Sequence, residues 1–194
     1  MTKHRREPLD ERPSARLYVE QDLSKGMDVT IRRTQVHYLK HVMRLGTGDI
    51  VAIFNGRDGE WLAKVSSLEK EWGLLTTTEL RRKQLPESDV WLVFAPVKRA
   101  RLDYLVQKSS ELGAAALLPV KTQNTIVTRV NLARLRANAV EAAEQCDRLT
   151  LPRVEELCPL HDILRDWPEE RRLILCAESG PATPIAKLLA DADR

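Results

Sequence analysis

The sequence lacks the features of a membrane-spanning chain and of a disulfide-rich secreted one. No apolar run in its 194 residues approaches the roughly 18 needed to cross a bilayer, and its charged first residues lack the apolar stretch of a signal peptide. The cysteines are few and widely spaced (Cys146, Cys158 and Cys176), so they form neither a disulfide framework nor a paired metal motif. We therefore expect small core thiols in a reducing, cytoplasmic compartment.

The sequence also lacks the short motifs of the common nucleotide and metal chemistries. Neither a P-loop nor the glycine motif of dinucleotide-binding proteins occurs, which leaves ATP hydrolysis and dinucleotide-dependent chemistry unsupported. The 4 histidines are scattered. His37 and His41 stand four residues apart, but the glutamate of a zinc-protease helix is missing between them. We predict no metal site.

The charge that is present is distributed unevenly along the chain. Residues 1–83 contain 16 Lys and Arg against 12 Asp and Glu, and residues 84–153 contain 10 against 7. Residues 154–194 contain 5 against 9. The basic excess thus lies in the first two parts, where a phosphate backbone would be contacted.

Sequence patterning predicts two folded regions separated by a linker. Residues 1–15 are charged and proline-containing, as in a mobile basic arm. Residues 16–83 show short alternating strands and one helix (Gln35 to Leu45), which favours a small β-barrel, with the glycines of Asn55–Gly59 forming a hairpin turn. Residues 84–89 are the predicted linker, and residues 90–194 form the second region.

The second region alternates strands and helices, which predicts a mostly parallel α/β sheet. Residues 90–95 are continuously apolar, as in a strand covered on both faces. The elements expected after it are a helix at 101–112, a strand at 115–120, a helix at 132–147, a strand at 153–156, a helix at 160–166, a strand at 173–177 and a helix at 182–190.

A polar stripe marks the helix predicted at 132–147. Glu141, Glu144, Gln145 and Arg148 recur at helical spacing and would share one face. One interpretation is a solvated surface, where each i,i+4 pair adds only about 0.2–0.5 kcal/mol. The other is a ligand site, because the stripe runs toward a sheet edge, where α/β enzymes bind their ligands.

Four segments, in order, resemble one known family. They are Arg16-Leu-Tyr-Val, the run from Tyr38 to Trp61 with Asn55-Gly-Arg-Asp-Gly59, the run from Lys98 to Gly113, and the run from Asn131 to Val154 that contains the polar stripe. Together they are similar to the ribosomal RNA small-subunit uridine-N3 methyltransferase family and cover most of residues 16 to 177.

This resemblance implies a fold, an activity and partners. The fold would be a PUA-like RNA-binding barrel at 16–83 followed by a SPOUT-class methyltransferase domain at 90–194, with an incomplete knot in this chain. The activity would be S-adenosyl-L-methionine-dependent methylation of N3 of a uridine in 16S rRNA of the small ribosomal subunit. Relatives in the family act as homodimers, which we expect of a full-length protein.

The resemblance also implies roles for individual residues. The candidates near the reacting base are Glu144, Arg148, Gln145 and Glu111. The candidates for RNA binding are Arg16, Arg44, Lys98, Arg99 and Arg101. Glu111 is equally well interpreted as a surface residue that precedes the helix stop at Gly113.

Two departures from the family leave alternatives open. Gln123-Asn124-Thr125 stands where the family usually has an arginine. The family's glycine-rich Gly-Pro-Glu-Gly-Gly loop is missing, since after Gly113 the only glycine is Gly180, so no cofactor-binding residue is assigned. The alternatives to an enzyme are therefore a non-catalytic RNA-binding fragment and a truncated structural half-domain.

Overall fold

The computed structural model of the protein describes residues 13–190, in which the chain up to Leu160 forms one compact unit with two sheets. The first sheet is a half-barrel of five strands in the order β1-β3-β4-β5-β2. These strands are β1 (Arg16–Tyr18), β2 (Asp28–Arg32), β3 (Ile50–Phe54), β4 (Glu60–Leu68) and β5 (Trp72–Arg82). Only the pair β1–β3 is parallel. Residues 1–12 of the predicted basic arm lie outside the described part of the chain.

Alternation of apolar and polar residues places the core of the half-barrel. In β2, Val29 and Ile31 are fully buried between exposed neighbours, as the two-residue period of a strand requires. β3 is more uniformly apolar and is buried over Val51–Phe54. The turn between β3 and β4 contains Gly56 and Gly59 at φ 81° and 82°, a conformation that favours glycine.

The single helix predicted at Gln35–Leu45 is instead built from two pieces. α1 (Arg33–His37) continues directly into a π-helical segment (Tyr38–Val42). The wider π turn places Leu39, with no exposed surface, in the core of the half-barrel. Arg44 then adopts φ 58°, and the chain leaves the helix with the Leu45 amide donating to the Leu39 carbonyl at 2.9 Å.

The second sheet of the described chain is parallel throughout. β6 (Val90–Phe94) pairs with β7 (Ala114–Lys121), and β7 pairs along its other edge with β8 (Arg153–Val154) and β9 (Cys158–Pro159). α2 (Arg99–Glu111) joins β6 to β7, and α3 (Leu132–Gln145) lies between β7 and β8. The predicted barrel followed by a mostly parallel α/β sheet is therefore confirmed.

The sequence determines the N-terminus and the buried face of α3. The Asn131 side chain accepts a hydrogen bond from the Arg134 amide at 3.1 Å, an N-cap of the kind that contributes about 1 kcal/mol. Leu135, Ala139, Ala142 and Ala143 recur at helical spacing and are all buried. Small alanines at this face let α3 pack closely on its neighbours.

The last part of the described chain contains α4 (Leu160–Arg165) and α5 (Ile185–Ala190). The strand predicted at 173–177 is wrong: these residues pair with no strand in the described range, and Leu173 and Leu175 are exposed. A strand needs a neighbour for its backbone groups, so an apolar run alone does not make one. None of the helices within residues 13–190 could span a membrane.

Candidate functional site

Three of the four residues of the polar stripe line one groove. The groove has a volume of about 670 Å³ and lies between the half-barrel and α3. Glu141, Glu144 and Gln145 form its α3 wall, and Tyr18 and Tyr38 are among the residues of the half-barrel wall. The predicted stripe is thus neither a purely solvated face nor part of a closed pocket.

Arg148 is not on the helix, which corrects the predicted helix 132–147 and its four-residue stripe. α3 ends at Gln145, and Asp147 adopts φ 61°, which reverses the chain before Arg148. A left-handed residue ends helical propagation, so the i,i+4 spacing from Glu144 no longer applies. Arg148 therefore does not line the groove with Glu141, Glu144 and Gln145, although helical spacing predicts that all four share one face.

Glu144 is half-buried and hydrogen bonded to the half-barrel. Its Oε1 accepts the backbone N–H of Tyr18, the last residue of β1, at 2.9 Å. Burial raises the pKa of the Glu144 carboxyl above its usual value, and the Tyr18 amide and the charge of Arg16 oppose that rise only in part. A carboxylate at the wall of an open groove with a raised pKa is suited to accept or share a proton.

Arg148 is buried and stabilises the second sheet and the end of α2. Its Nη1 donates to the buried carbonyls of Ser110 at 2.7 Å and Ala114 at 3.0 Å, near the end of α2 and at the start of β7. Its Nε donates to Glu87 at 2.8 Å. Burial alone would raise the pKa of the Glu87 carboxyl, but hydrogen bonds from Thr150 and Arg148 lower it.

Arg16 is buried between the half-barrel and the C-terminus of α3 and does not lie at the surface. Its Nη1 donates to the carbonyls of Ala143 and Glu144, and its Nη2 donates to that of Arg148 at 2.9 Å. A cation at this position satisfies the last carbonyls of the helix and complements its dipole. Since its donors are used within the protein, we assign Arg16 to this contact in place of RNA binding.

Glu60, which the sequence patterning did not single out, organises this contact. Its carboxylate has no exposed surface and accepts hydrogen bonds from Arg16, Arg81 and Arg82. Burial alone would raise the pKa of Glu60, but the hydrogen bonds from Arg82 and Arg16 outweigh it and lower the pKa to about 2. The sequence feature that could have identified Glu60 is a glutamate at a strand position whose side chain faces inward. A buried carboxylate at such a position needs a cationic partner.

Glu111 lies at the end of α2, half-buried, and outside the groove. It accepts hydrogen bonds from Lys108 at 2.6 Å and Gln107 at 3.0 Å, and the Lys108 contact lowers the pKa of its carboxyl. Both partners belong to the same helix, so these bonds stabilise its last turn. Glu111 therefore does not line the groove that contains Glu144.

The remaining basic candidates are all exposed and lie on two surfaces. Arg44 follows the π-helical segment of the half-barrel, where the rings of His37 and His41 lie 4.9 Å apart. Lys98, Arg99 and Arg101 lie where β6 meets α2. Among the described residues no cluster of three or more His, Cys, Asp or Glu side chains could hold a metal ion.

Comparison with known proteins identifies the class. The family model described as an RNA methyltransferase domain matches residues 83–193, more than half of the chain, and that of an RNA methyltransferase PUA domain matches residues 31–71. The chain therefore belongs to the RNA methyltransferase domain family. Within it, the resemblance to the small-subunit ribosomal RNA methyltransferases is confirmed by the relatives below.

Curated relatives carry the name ribosomal RNA small subunit methyltransferase E. The protein of Rickettsia conorii is 30% identical over 151 residues, which cover 77% of this chain and 62% of the relative. The protein of Synechocystis is 32% identical over 155 residues, which cover 76% of this chain and 51% of the relative. The chain thus spans only about half to three fifths of the length of these two proteins.

Solved structures share the fold. The methyltransferase E of Neisseria gonorrhoeae, described as bound to S-adenosyl methionine, superposes with a TM-score of 0.74 at 27% identity, covering 80% of this chain and 66% of that one. A putative methyltransferase of Legionella pneumophila superposes equally well at 23% identity, covering 87% and 73%, and supports the fold alone.

Proposed function

We propose that the chain takes part in S-adenosyl-L-methionine-dependent methylation of N3 of a uridine in 16S rRNA of the small ribosomal subunit. The observation that carries this proposal is the carboxylate of Glu144. It lies half-buried at the wall of the groove between a PUA-like half-barrel and the methyltransferase domain. The relatives named as small-subunit ribosomal RNA methyltransferases support the methylation of this RNA, and the position N3 of a uridine is the part that the chemistry of Glu144 supports.

The chemistry of N3 methylation matches this carboxylate. The ring nitrogen carries a weakly acidic proton, which must leave before or as the methyl group arrives. Oε1 of Glu144 is held by Tyr18, so the rest of the carboxylate can accept the N3–H of a uridine that enters the groove. The raised pKa moves Glu144 toward the range of a general base. Gln145 and Glu141 line the same wall and can orient the base.

The described residues of the second part of the chain contain no glycine-rich loop of the kind that lets a backbone approach a cofactor closely. Their glycines, Gly113 and Gly180, stand alone in the sequence. We assign no residue to the cofactor and derive no step through it.

RNA binding is proposed for the exposed cations, with the half-barrel at residues 16–83 and the methyltransferase domain at 90–194 as the two contributing regions. Arg44, Lys98, Arg99 and Arg101 suit phosphate contacts, which position a nucleic acid without reading its sequence. Pairing into a homodimer through the methyltransferase domain and a cytoplasmic location complete the proposal.

Methyl transfer to isolated small ribosomal subunits tests the proposal directly. Subunits that lack the modification are incubated with the protein and labelled S-adenosylmethionine, and digested RNA is analysed for 3-methyluridine. Glu144→Gln is expected to lower kcat by about 10²-fold or more, the usual contribution of one general base. Glu156→Gln, an exposed glutamate outside the groove, is the matched control. RNA binding without methyl transfer would favour the non-catalytic RNA-binding fragment.

Replacement of Arg44 tests the RNA-binding surface of the half-barrel. Arg44→Ala is expected to weaken RNA binding and to reduce the slope of log Kd against log salt by about 1, because one phosphate contact is lost. The fold should be retained, since the side chain is exposed. Binding is measured by fluorescence anisotropy over a salt series. An unchanged slope would remove Arg44 from the interface.

A further inference from the structure

A second groove lies at the opposite end of α3 from Glu144. It has a volume of about 370 Å³ and is formed where α2 and α3 begin. Lys98 and Arg99 lie on one wall, and Arg129, in the segment that precedes α3, lies on the other. Val97, Val127 and Val130 form part of its apolar lining.

The charges of this groove are mostly uncompensated. Its lining contains four cations and one carboxylate, an excess of three positive charges. The carboxylate, Asp103, accepts hydrogen bonds from Arg134 and Asn138, and the Arg134 contact lowers its pKa, so it stays ionised and is neutralised by Arg134. Lys98, Arg99 and Arg129 are exposed, and within residues 13–190 none of them forms an ion pair, although the charge of Arg99 adds to that of Arg134 in lowering the pKa of Asp103.

The backbone adds to the positive potential. α2 has 13 residues, and Lys98 at its N-cap supplies no side-chain hydrogen bond to the first turn. The amides at a helix N-terminus and the helix dipole both favour an anion. This contribution reinforces the three side chains, which by themselves set the sign of the groove.

Neighbouring grooves connect this site to Glu144. A smaller groove of about 180 Å³ shares Asp103 with the cationic groove, and shares Glu141 and Gln145 with the groove at the half-barrel. The three grooves therefore form a continuous row along α3. The helix has 14 residues, so the row is about 20 Å long. The other two grooves contain more carboxylates than cations.

We propose that the cationic groove of Lys98, Arg99 and Arg129 binds the sugar-phosphate backbone of the RNA strand whose uridine reaches Glu144. The inference rests on the proposed function and adds the site at which the strand is held. A polyanion fits this charge, with its phosphates in the cationic groove and an uncharged base in the carboxylate-lined one. S-Adenosylmethionine fits less well, because its sulfonium and ammonium groups outnumber its single carboxylate and its net positive charge would be repelled by three cations.

Variants of Arg129 and Lys98 test RNA binding by the cationic groove separately from RNA binding by the half-barrel. Arg129→Ala, Lys98→Ala and the double variant are compared with Arg136→Ala, an exposed arginine of α3 that lines none of the three grooves. The probes are a small-subunit rRNA fragment and an unrelated single-stranded RNA of equal length. Their Kd values are measured by anisotropy between 50 and 200 mM salt (about the range in which such contacts are resolved).

Each single groove variant should weaken binding of both RNAs about tenfold, as loss of one charge-assisted contact does. Each single variant should also lower the slope of log Kd against log salt by about 1, and the double variant should lower it by about 2. Arg136→Ala should leave both quantities unchanged, and circular dichroism should show the same fold for all variants.

Three other outcomes overturn the inference in distinguishable ways. If the groove variants keep the wild-type slope while Arg44→Ala lowers it, RNA binding survives and the groove is not its site. If only the rRNA fragment loses affinity, the groove reads bases and not the backbone. If the unaltered protein binds neither RNA, the proposed function itself fails.

Discussion

Glu60→Ala is expected to lower the free energy of unfolding by about 3–5 kcal/mol, the range for a buried charge that loses its partner. The carboxylate of Glu60 has no exposed surface and accepts hydrogen bonds from three arginines. Its loss leaves Arg16, whose side chain is 9% exposed, with only the exposed carboxylate of Asp147, at 3.5 Å, as a counter-charge. Urea unfolding followed by tryptophan fluorescence measures the change.

The pH dependence of stability gives an independent check on Glu60. Its folded-state pKa of about 2 lies below the ordinary value of 4.5. The carboxylate therefore contributes its full stabilisation above pH 4.5, and that contribution is lost as the pH falls toward 2. The shift corresponds to about 3 kcal/mol. Glu60→Gln should lack this part of the acid profile.

Glu79→Ala is the matched control, because Glu79 is an exposed glutamate on β5, the strand next to β4. It should change the free energy of unfolding by no more than about 0.5 kcal/mol. If both variants lose the same stability, or if Glu60→Gln keeps the wild-type acid profile, the buried carboxylate does not hold the contact.

The order of strands and helices could be predicted because each element depends on the residue pattern within a short stretch of the sequence. The alternation in β2, the continuous apolar run of β6 and the glycines after β3 each act within a few residues. Pairs distant in the chain could not be predicted in this way. Arg16 meets Glu60 44 residues away and the Ala143 carbonyl 127 residues away.

Arg148, one of the four residues of the polar stripe, illustrates the same limit. Glu141, Glu144 and Gln145 were placed correctly on one face, because helical spacing holds within α3. Arg148 was not, because the left-handed Asp147 ends the helix two residues earlier than the pattern indicated. Aspartate adopts this conformation only occasionally, so its presence near the end of a helical pattern does not by itself place the helix end.

The Arg16 contact has a consequence for the proposed reaction. It fixes β1 against the C-terminus of α3, and Tyr18 at the end of the same strand holds Glu144. The width of the groove between half-barrel and α3 is therefore set by buried polar bonds together with the apolar cluster of Phe54, Ala143 and Leu149. A base that enters the groove meets a carboxylate already held in place, which is the condition for efficient proton transfer.

Arg148→Lys is expected to lower the free energy of unfolding by about 2–3 kcal/mol, although the charge is retained. Arg148 uses three nitrogens to contact Glu87, Thr150 and the carbonyls of Ser110 and Ala114. The single ammonium of lysine cannot reach all of them, so hydrogen bonds to buried groups are lost, and a buried acceptor that keeps no donor costs about 1–3 kcal/mol. Arg148→Ala should cost more, about 3–5 kcal/mol, because Glu87 then also loses its cation.

Arg153→Lys is the control for this substitution. Arg153 lies five residues after Arg148 and pairs with Glu155 at an exposed site. Exposed ion pairs contribute about 0–1 kcal/mol, so the change there should be small. Equal stabilities of the two lysine variants in urea would mean that the Arg148 hydrogen bonds contribute nothing. A large loss only for Arg148→Lys, with RNA binding unchanged at temperatures where the protein is folded, assigns Arg148 to holding α2 against β7. That outcome leaves Glu144 as the charged side chain proposed to act on the base.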